Sequence, residues 1–128
     1  MLTKYQKALS KQYKWMKRKG KRTAYDMFGI ECGDGWYSLI DELCFNIDRV
    51  LTGNPKLRFC VTQIKEKFGG LRFYYYGGDD EITKLVSNAE DKSFKICEDC
   101  GKKGKKVEVR GWLRTQCKKC ADEWRKQK

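Results

Sequence analysis

The sequence predicts an α+β fold: a small helix–hairpin–helix core, with a basic helix before it and a four-cysteine ribbon after it. Three observations carry that prediction. Apolar residues recur at helical spacing from Trp36 to Leu51 and again from Ile82 to Ala89. Between these stretches, two alternating runs flank Gly69-Gly70, a two-residue hairpin signal. Beyond residue 94, two C-x-x-C pairs stand sixteen residues apart. The chain accordingly divides into a basic amphipathic helix and linker (1–30), the α+β core (31–94) and the ribbon (95–128).

The first helix is predicted over residues 3–19, with Leu2, Tyr5, Leu9, Tyr13 and Met16 along one face and Gly20 as its stop. Lysines at 4, 7, 11 and 14 and Arg18 fill much of the remainder, so Lys14 and Arg18 are candidate phosphate contacts outside a packed stripe. Residues 20–35, rich in glycine, read as a linker. Asp34 is the expected cap of the next helix, whose stripe is Leu39, Ile40, Leu43, Cys44, Ile47, Val50 and Leu51, and which Gly53-Asn54-Pro55 ends. Cys44 and Cys60 read as small core residues, and Cys32 has no identifiable metal partner.

A type I′ turn at Gly69-Gly70 would pair Phe68 with Leu71, Lys67 with Arg72, and Gln63 with Tyr76. Alternation then gives a core face of Ile64, Phe68, Leu71, Phe73 and Tyr75, with Glu66 intruding. The opposite face carries Gln63, Lys65, Lys67, Arg72, Tyr74 and Tyr76. Like charges at 67 and 72 cost stability unless a counter-charge is near, and tyrosines beside them suit stacking on bases or donation to phosphates. A solvated face with lysines that discourage edge pairing is the plainer alternative. Asp79 and Asp80 open a helix over 80–92.

Cys97, Cys100, Cys117 and Cys120 form two knuckles able to close a tetrahedron of thiolates around Zn2+, the spacing of a zinc ribbon. Gly101 follows the first knuckle, where a left-handed backbone is often required. Val107 to Arg110 reads as a ribbon strand, and residues 118–127 as a terminal helix whose Trp124 is placed to pack over the metal. Arg110 and Arg114 are candidate anion contacts.

The charge of +12 is unevenly spread. Residues 1–30 carry nine Lys/Arg against Asp26 alone, residues 31–94 are close to neutral, and residues 95–128 carry twelve Lys/Arg against five acids. Basic ends around a near-neutral centre predict a polyanion partner, nucleic acid first. No apolar run reaches membrane-span length, the N-terminus lacks the apolar core of a signal peptide, and seven cysteines argue against a disulfide framework, which together predict a cytoplasmic protein.

Gly35-Trp36-Tyr37-Ser38-Leu39-Ile40-Asp41-Glu42-Leu43, the stretch from Gln63 through Lys65-Glu66-Lys67-Phe68-Gly69-Gly70-Leu71-Arg72-Phe73 to Tyr74, and the Cys97/Cys100 knuckle with Gly111-Trp112 and Thr115-Gln116-Cys117 resemble a family of small uncharacterised proteins of bacteria, phages and prophages. The resemblance spans about residues 31–120, leaves out the basic helix, and implies a fold and a mobile-element setting without an activity. Members often end in a cysteine and a histidine, where this chain has Cys120.

The chain has no histidine, which removes the commonest general base at neutral pH, and four thiolates leave zinc no open position. Gln63-x-Lys65 weakly resembles an element of a nuclease superfamily, but the upstream acid it needs is missing: Glu31, Asp34 and Asp48 lie in the wrong context. The expectation is a non-enzymatic, zinc-stabilised nucleic-acid-binding protein, a phage or prophage regulator. The alternatives are a protein-docking inhibitor or adaptor that meets an acidic host protein through Trp15, Trp112 or Trp124, and capture of a nucleotide or other small phosphorylated ligand on the hairpin face.

Overall fold

The computed structural model describes residues 1–127 and mixes helix and strand in one α+β arrangement. In chain order it has α1 (Thr3–Gln12), a 3-10 turn (Lys14–Met16), α2 (Ala24–Phe28), β1 (Ile30–Glu31), a second 3-10 turn (Asp34–Trp36) and α3 (Tyr37–Gly53). There follow β2 (Phe59–Lys67), β3 (Gly70–Gly77), α4 (Asp80–Ser93), β4 (Lys105–Val109), β5 (Trp112–Gln116) and α5 (Lys118–Lys126). Strands β1, β2 and β3 form one sheet in that order, and β4 and β5 form a second. Among the described residues no helix is long and apolar enough to cross a membrane.

The stripe read on α3 is the centre of the core. Leu39, Ile40, Leu43, Cys44, Ile47 and Val50 are buried, against Ile82, Val86 and Ala89 of α4 and Val61, Ile64, Leu71 and Phe73 of the sheet. Burial pushes the Cys44 thiol well above its ordinary range and the Cys32 thiol up to about 12, so both behave as small apolar core groups. At the sheet's outer edge, α4 side chains satisfy β3 amides: Leu71 N–H donates to Ser93 Oγ at 2.9 Å and Phe73 N–H to Glu90 Oε2 at 2.9 Å. These bonds take up two outward amides of an edge strand and blunt that part of it as a template for a second chain.

Residues 1–30 belong to the same core. Leu9, Tyr13, Met16, Tyr25 and Ile30 are buried in it, while Tyr5 stacks on Tyr37 with ring centroids 4.6 Å apart. The helix expected to reach residue 19 ends at Gln12, because Tyr13 turns extended and redirects the chain along α3. That turn lets Trp15 Nε1 donate to Asp48 Oδ1 at 2.9 Å. The expected linker is structured too: α2 starts where the Asp26 N–H donates to Thr23 Oγ1, and β1 adds a parallel strand beside β2. Asp34 does not cap α3; it begins the 3-10 turn, and its Oδ1 accepts from the Leu2 N–H at 2.8 Å.

The hairpin turn is centred one residue earlier than expected. Phe68 and Gly69 occupy its two positive-φ positions, at 53° and 85°, and Lys67 faces Gly70. Gly70 is instead the first residue of β3, where a Cβ would collide with the Phe94 ring. Every partner on the opposite strand therefore moves by two residues, which changes the pairs and keeps the faces. Phe68, expected in the core, lies exposed at the tip. A bulge between Val61 and Gln63 then reverses the alternation, so that Val61 points inward and Cys60, expected in the core, points out.

Candidate functional site

The ribbon is built from two glycine-assisted turns. Cys97 O accepts from the Gly101 N–H at 2.9 Å, and Gly101 takes the left-handed conformation (φ 82°) that the first knuckle needs. The second knuckle opens α5: Cys117 is its N-cap, with Sγ accepting from the Cys120 N–H at 3.4 Å. That amide leads the causes that lower the Cys117 thiol to about 7. Between the knuckles, β4 and β5 turn at Arg110-Gly111, with the same pair of positive φ values as Phe68-Gly69.

All four cysteine sulfurs lie within 4.8 Å of one another, and Cys100 Sγ stands 3.7 Å from Cys117 Sγ. That is far beyond a disulfide bond of about 2.05 Å. Sulfurs about 2.3 Å from a common tetrahedral ion would be about 3.8 Å apart, so the spacing fits one metal ion. Cys97 and Cys120 are buried, whereas Cys100 is exposed at the rim. The four residues named from spacing are thus the four the fold assembles.

The ribbon sits on the core through a polar seam that sequence reasoning missed. Glu98, buried beside Cys97, accepts from the Gly33 N–H through Oε2 at 2.9 Å, and its carbonyl accepts from the Gly35 N–H at 2.7 Å. A side chain at Gly35 would strike the Cys97 carbonyl. Trp36 Nε1 donates to Ile96 O at 2.9 Å, and Thr115 Oγ1 donates to Gly69 O at 2.6 Å. Trp36, Gly69, Gly70, Thr115 and Gln116 therefore meet at or beside this junction.

Arg114 belongs to that seam and is largely buried in it. Its Nη2 lies 3.1 Å from Asp99 Oδ1 and 3.3 Å from Glu98 Oε1, and its guanidinium lies 3.8 Å over the Trp124 ring. The Glu98 contact is an ion pair without hydrogen-bond geometry, which leaves Oε1 without a hydrogen-bond donor. Burial pushes the Glu98 carboxyl up, opposed by the Gly33 amide and by Arg114. Trp124, expected over the metal, packs on Arg114. Arg18 is likewise engaged: its Nε and Nη2 donate to the Asp26 and Met27 carbonyls near the end of α2, at 2.8 and 2.7 Å.

The other predicted contacts remain on the surface. Gln63, Lys65, Lys67, Arg72, Tyr74 and Tyr76 share the outer face of β2 and β3, with Tyr74 and Tyr76 exposed. The like-charge pair is Lys65 with Arg72, not Lys67 with Arg72, and β1 sets Glu31 opposite Lys65 as a counter-charge. Glu31, read as out of context, is thus the strand neighbour of Lys65; it is a single carboxylate, where a metal-dependent nuclease site needs several oxygen ligands. Lys14 and Arg110 are exposed, well separated in the chain, one beside Trp15 and the other at the ribbon tip.

Beside the hairpin face lies a basic loop, residues 17–22, which the sequence reading divides between the end of the first helix (to residue 19) and the linker (from residue 20). Asp26 organises it: Oδ1 accepts from the Lys19 N–H at 2.8 Å, and this bond leads the causes that hold its carboxyl below the usual range. Thr23 and Asp26 have the spacing of a capping box, which would have marked α2 in the sequence. Lys17, Lys19 and Arg22 are exposed and make no ion pair among the described residues.

No family model matches this chain, and no curated protein or solved structure proves similar to it.

Proposed function

We propose that this chain is a non-enzymatic nucleic-acid-binding protein whose C-terminal ribbon is folded by zinc. One observation carries the proposal: the hairpin gathers Lys65, Lys67, Arg72, Tyr74 and Tyr76 on a single outer face, and the loop holding Lys17, Lys19 and Arg22 lies alongside it. Cations there suit phosphates, and the exposed rings suit bases. Zinc suits the ribbon because four thiolates at tetrahedral spacing satisfy it and leave no position for a substrate water. The role in a phage or prophage rests on the family resemblance alone.

Affinity for a random-sequence oligonucleotide should fall about 100-fold between 50 and 200 mM salt if about four phosphates are neutralised. Fluorescence anisotropy across that range measures it, and a flat profile would remove the electrostatic footprint the proposal requires.

A second reading, protein docking, has one observation in its favour: Trp112 is 72% exposed beside Arg110 and Leu113 at the ribbon tip. An anchor of that kind needs a pocket on an acidic partner. For that reading, Trp112→Ala should abolish capture of one defined protein from nuclease-treated lysate while oligonucleotide affinity stays unchanged. Loss of both together would place Trp112 in the nucleic-acid surface.

A further inference from the structure

We infer that the groove between the 17–23 loop and the outer side of β2 is a path for single-stranded nucleic acid. The inference rests on the nucleic-acid reading above and names the form of the partner.

Two adjoining hollows make the groove. The first, about 380 Å³, has Trp15, Tyr25 and Phe59 as its aromatic lining and Lys17, Lys19 and Arg22 as its basic rim. The second, about 510 Å³ and more open, is lined by Gln63, Lys65 and Tyr74 with Thr62. Arg22 and Thr23 line both, so one leads into the other. The β2 bulge lies where they meet and turns Cys60 and Thr62 into the groove wall.

The aromatic end is rigid. Trp15 is tied to Asp48 through its indole N–H and meets Phe59 edge-on at 5.3 Å, and Phe59 in turn packs on Tyr75 at 5.4 Å. Rings fixed in this way can accept a base with little ordering cost. The one acid in the first hollow, Asp26, already accepts loop amides and holds the cationic rim in place. Aromatic lining at one end and cations along the length are the chemistry of an unpaired strand, whose bases are free to stack. A duplex keeps its base faces covered. A mononucleotide would want its cations converging on one phosphate, whereas here Lys17, Arg22 and Lys65 are strung along the groove.

The test uses the zinc-loaded full chain and a labelled oligo-dT of about 12 bases. The single strand should bind at least about 10-fold tighter than a duplex of equal length. Lys17→Ala/Arg22→Ala should weaken it and flatten the log–log salt slope by about 1.4, about 0.7 for each lost contact. Phe59→Leu should cost about 5-fold or more, the stacking of one base. Lys84→Ala/Lys95→Ala, a charge-matched pair elsewhere, should change neither value. Equal binding of duplex and single strand, or groove variants that behave as wild type, would overturn the path and leave nucleic-acid binding standing. Thymidine monophosphate competing at the oligonucleotide's own concentration would overturn it in favour of a small-ligand site. Absence of binding to any oligonucleotide at low salt would remove the nucleic-acid reading itself.

Discussion

Cys97→Ser should release the metal and unfold residues 95–127 while the remainder of the chain stays folded. The reason is the division of buried surface. The contiguous core, from Leu9 to Ala89, contains no fully buried residue beyond Ala89; Ile96 only packs at its edge. The ribbon's own buried apolar groups are Val109, Ala121 and the two inner cysteines, far too little to order a segment of that length. On the proposed zinc reading its folding free energy comes from the metal, which in zinc-ligating peptides is worth about 10–16 kcal/mol at neutral pH. Serine at 97 removes a buried ligand whose own backbone closes the first knuckle through Gly101. Metal content should fall from one equivalent to none, and amide-exchange protection should vanish in β4, β5 and α5 but persist in α3 and α4. A chelator should reproduce the same pattern in the unaltered chain. Protection retained throughout a metal-free protein would show that packing alone holds the ribbon.

The sequence was most legible where one local rule acts without competition. Four cysteines in two C-x-x-C pairs, and the α3 stripe from Leu39 to Val50, appear in the structure as the spacing reads. The hairpin was half legible. Phe68-Gly69-Gly70 offers two ways to place a turn, and a glycine-based rule chooses Gly69-Gly70; the structure takes the other and sets Gly70 in β3 against the Phe94 ring, where only glycine fits. The outer face of the hairpin keeps its residues because a two-residue shift preserves alternation. Residues 13–31 were the least legible. The helical periodicity runs from Leu2 to Met16, yet Tyr13 breaks the helix so that Trp15 can reach Asp48 and the basic loop can fold around Asp26. Those contacts join residues 7 to 33 positions apart, and no window of local sequence contains the longer of them. Arg18 and Arg114 fail for a related reason: a sequence shows a cation without showing the carbonyls or carboxylates that claim it.

Arg114→Met should lower stability by about 3–5 kcal/mol and leave the salt dependence of oligonucleotide binding unchanged. Methionine keeps much of the side chain's length against Trp124 while deleting the charge. Glu98, nearly fully buried, would then lose its cationic partner, and Asp99 would keep its hydrogen bond from Gln116. An arginine that contacts phosphates would behave in the opposite way, with little change in melting temperature and a salt slope shallower by nearly one unit. The two roles therefore separate on two measurements made with one variant. Adding Glu98→Gln to Arg114→Met should recover part of the loss, since a neutral amide oxygen can still accept the Gly33 N–H without a buried charge to compensate. Additive losses in the double variant would mean that Glu98 and Arg114 act separately. In that case the ribbon would be held to the core chiefly by the uncharged hydrogen bonds at Gly35, Trp36 and Gly69, and charge pairing across the seam would contribute little.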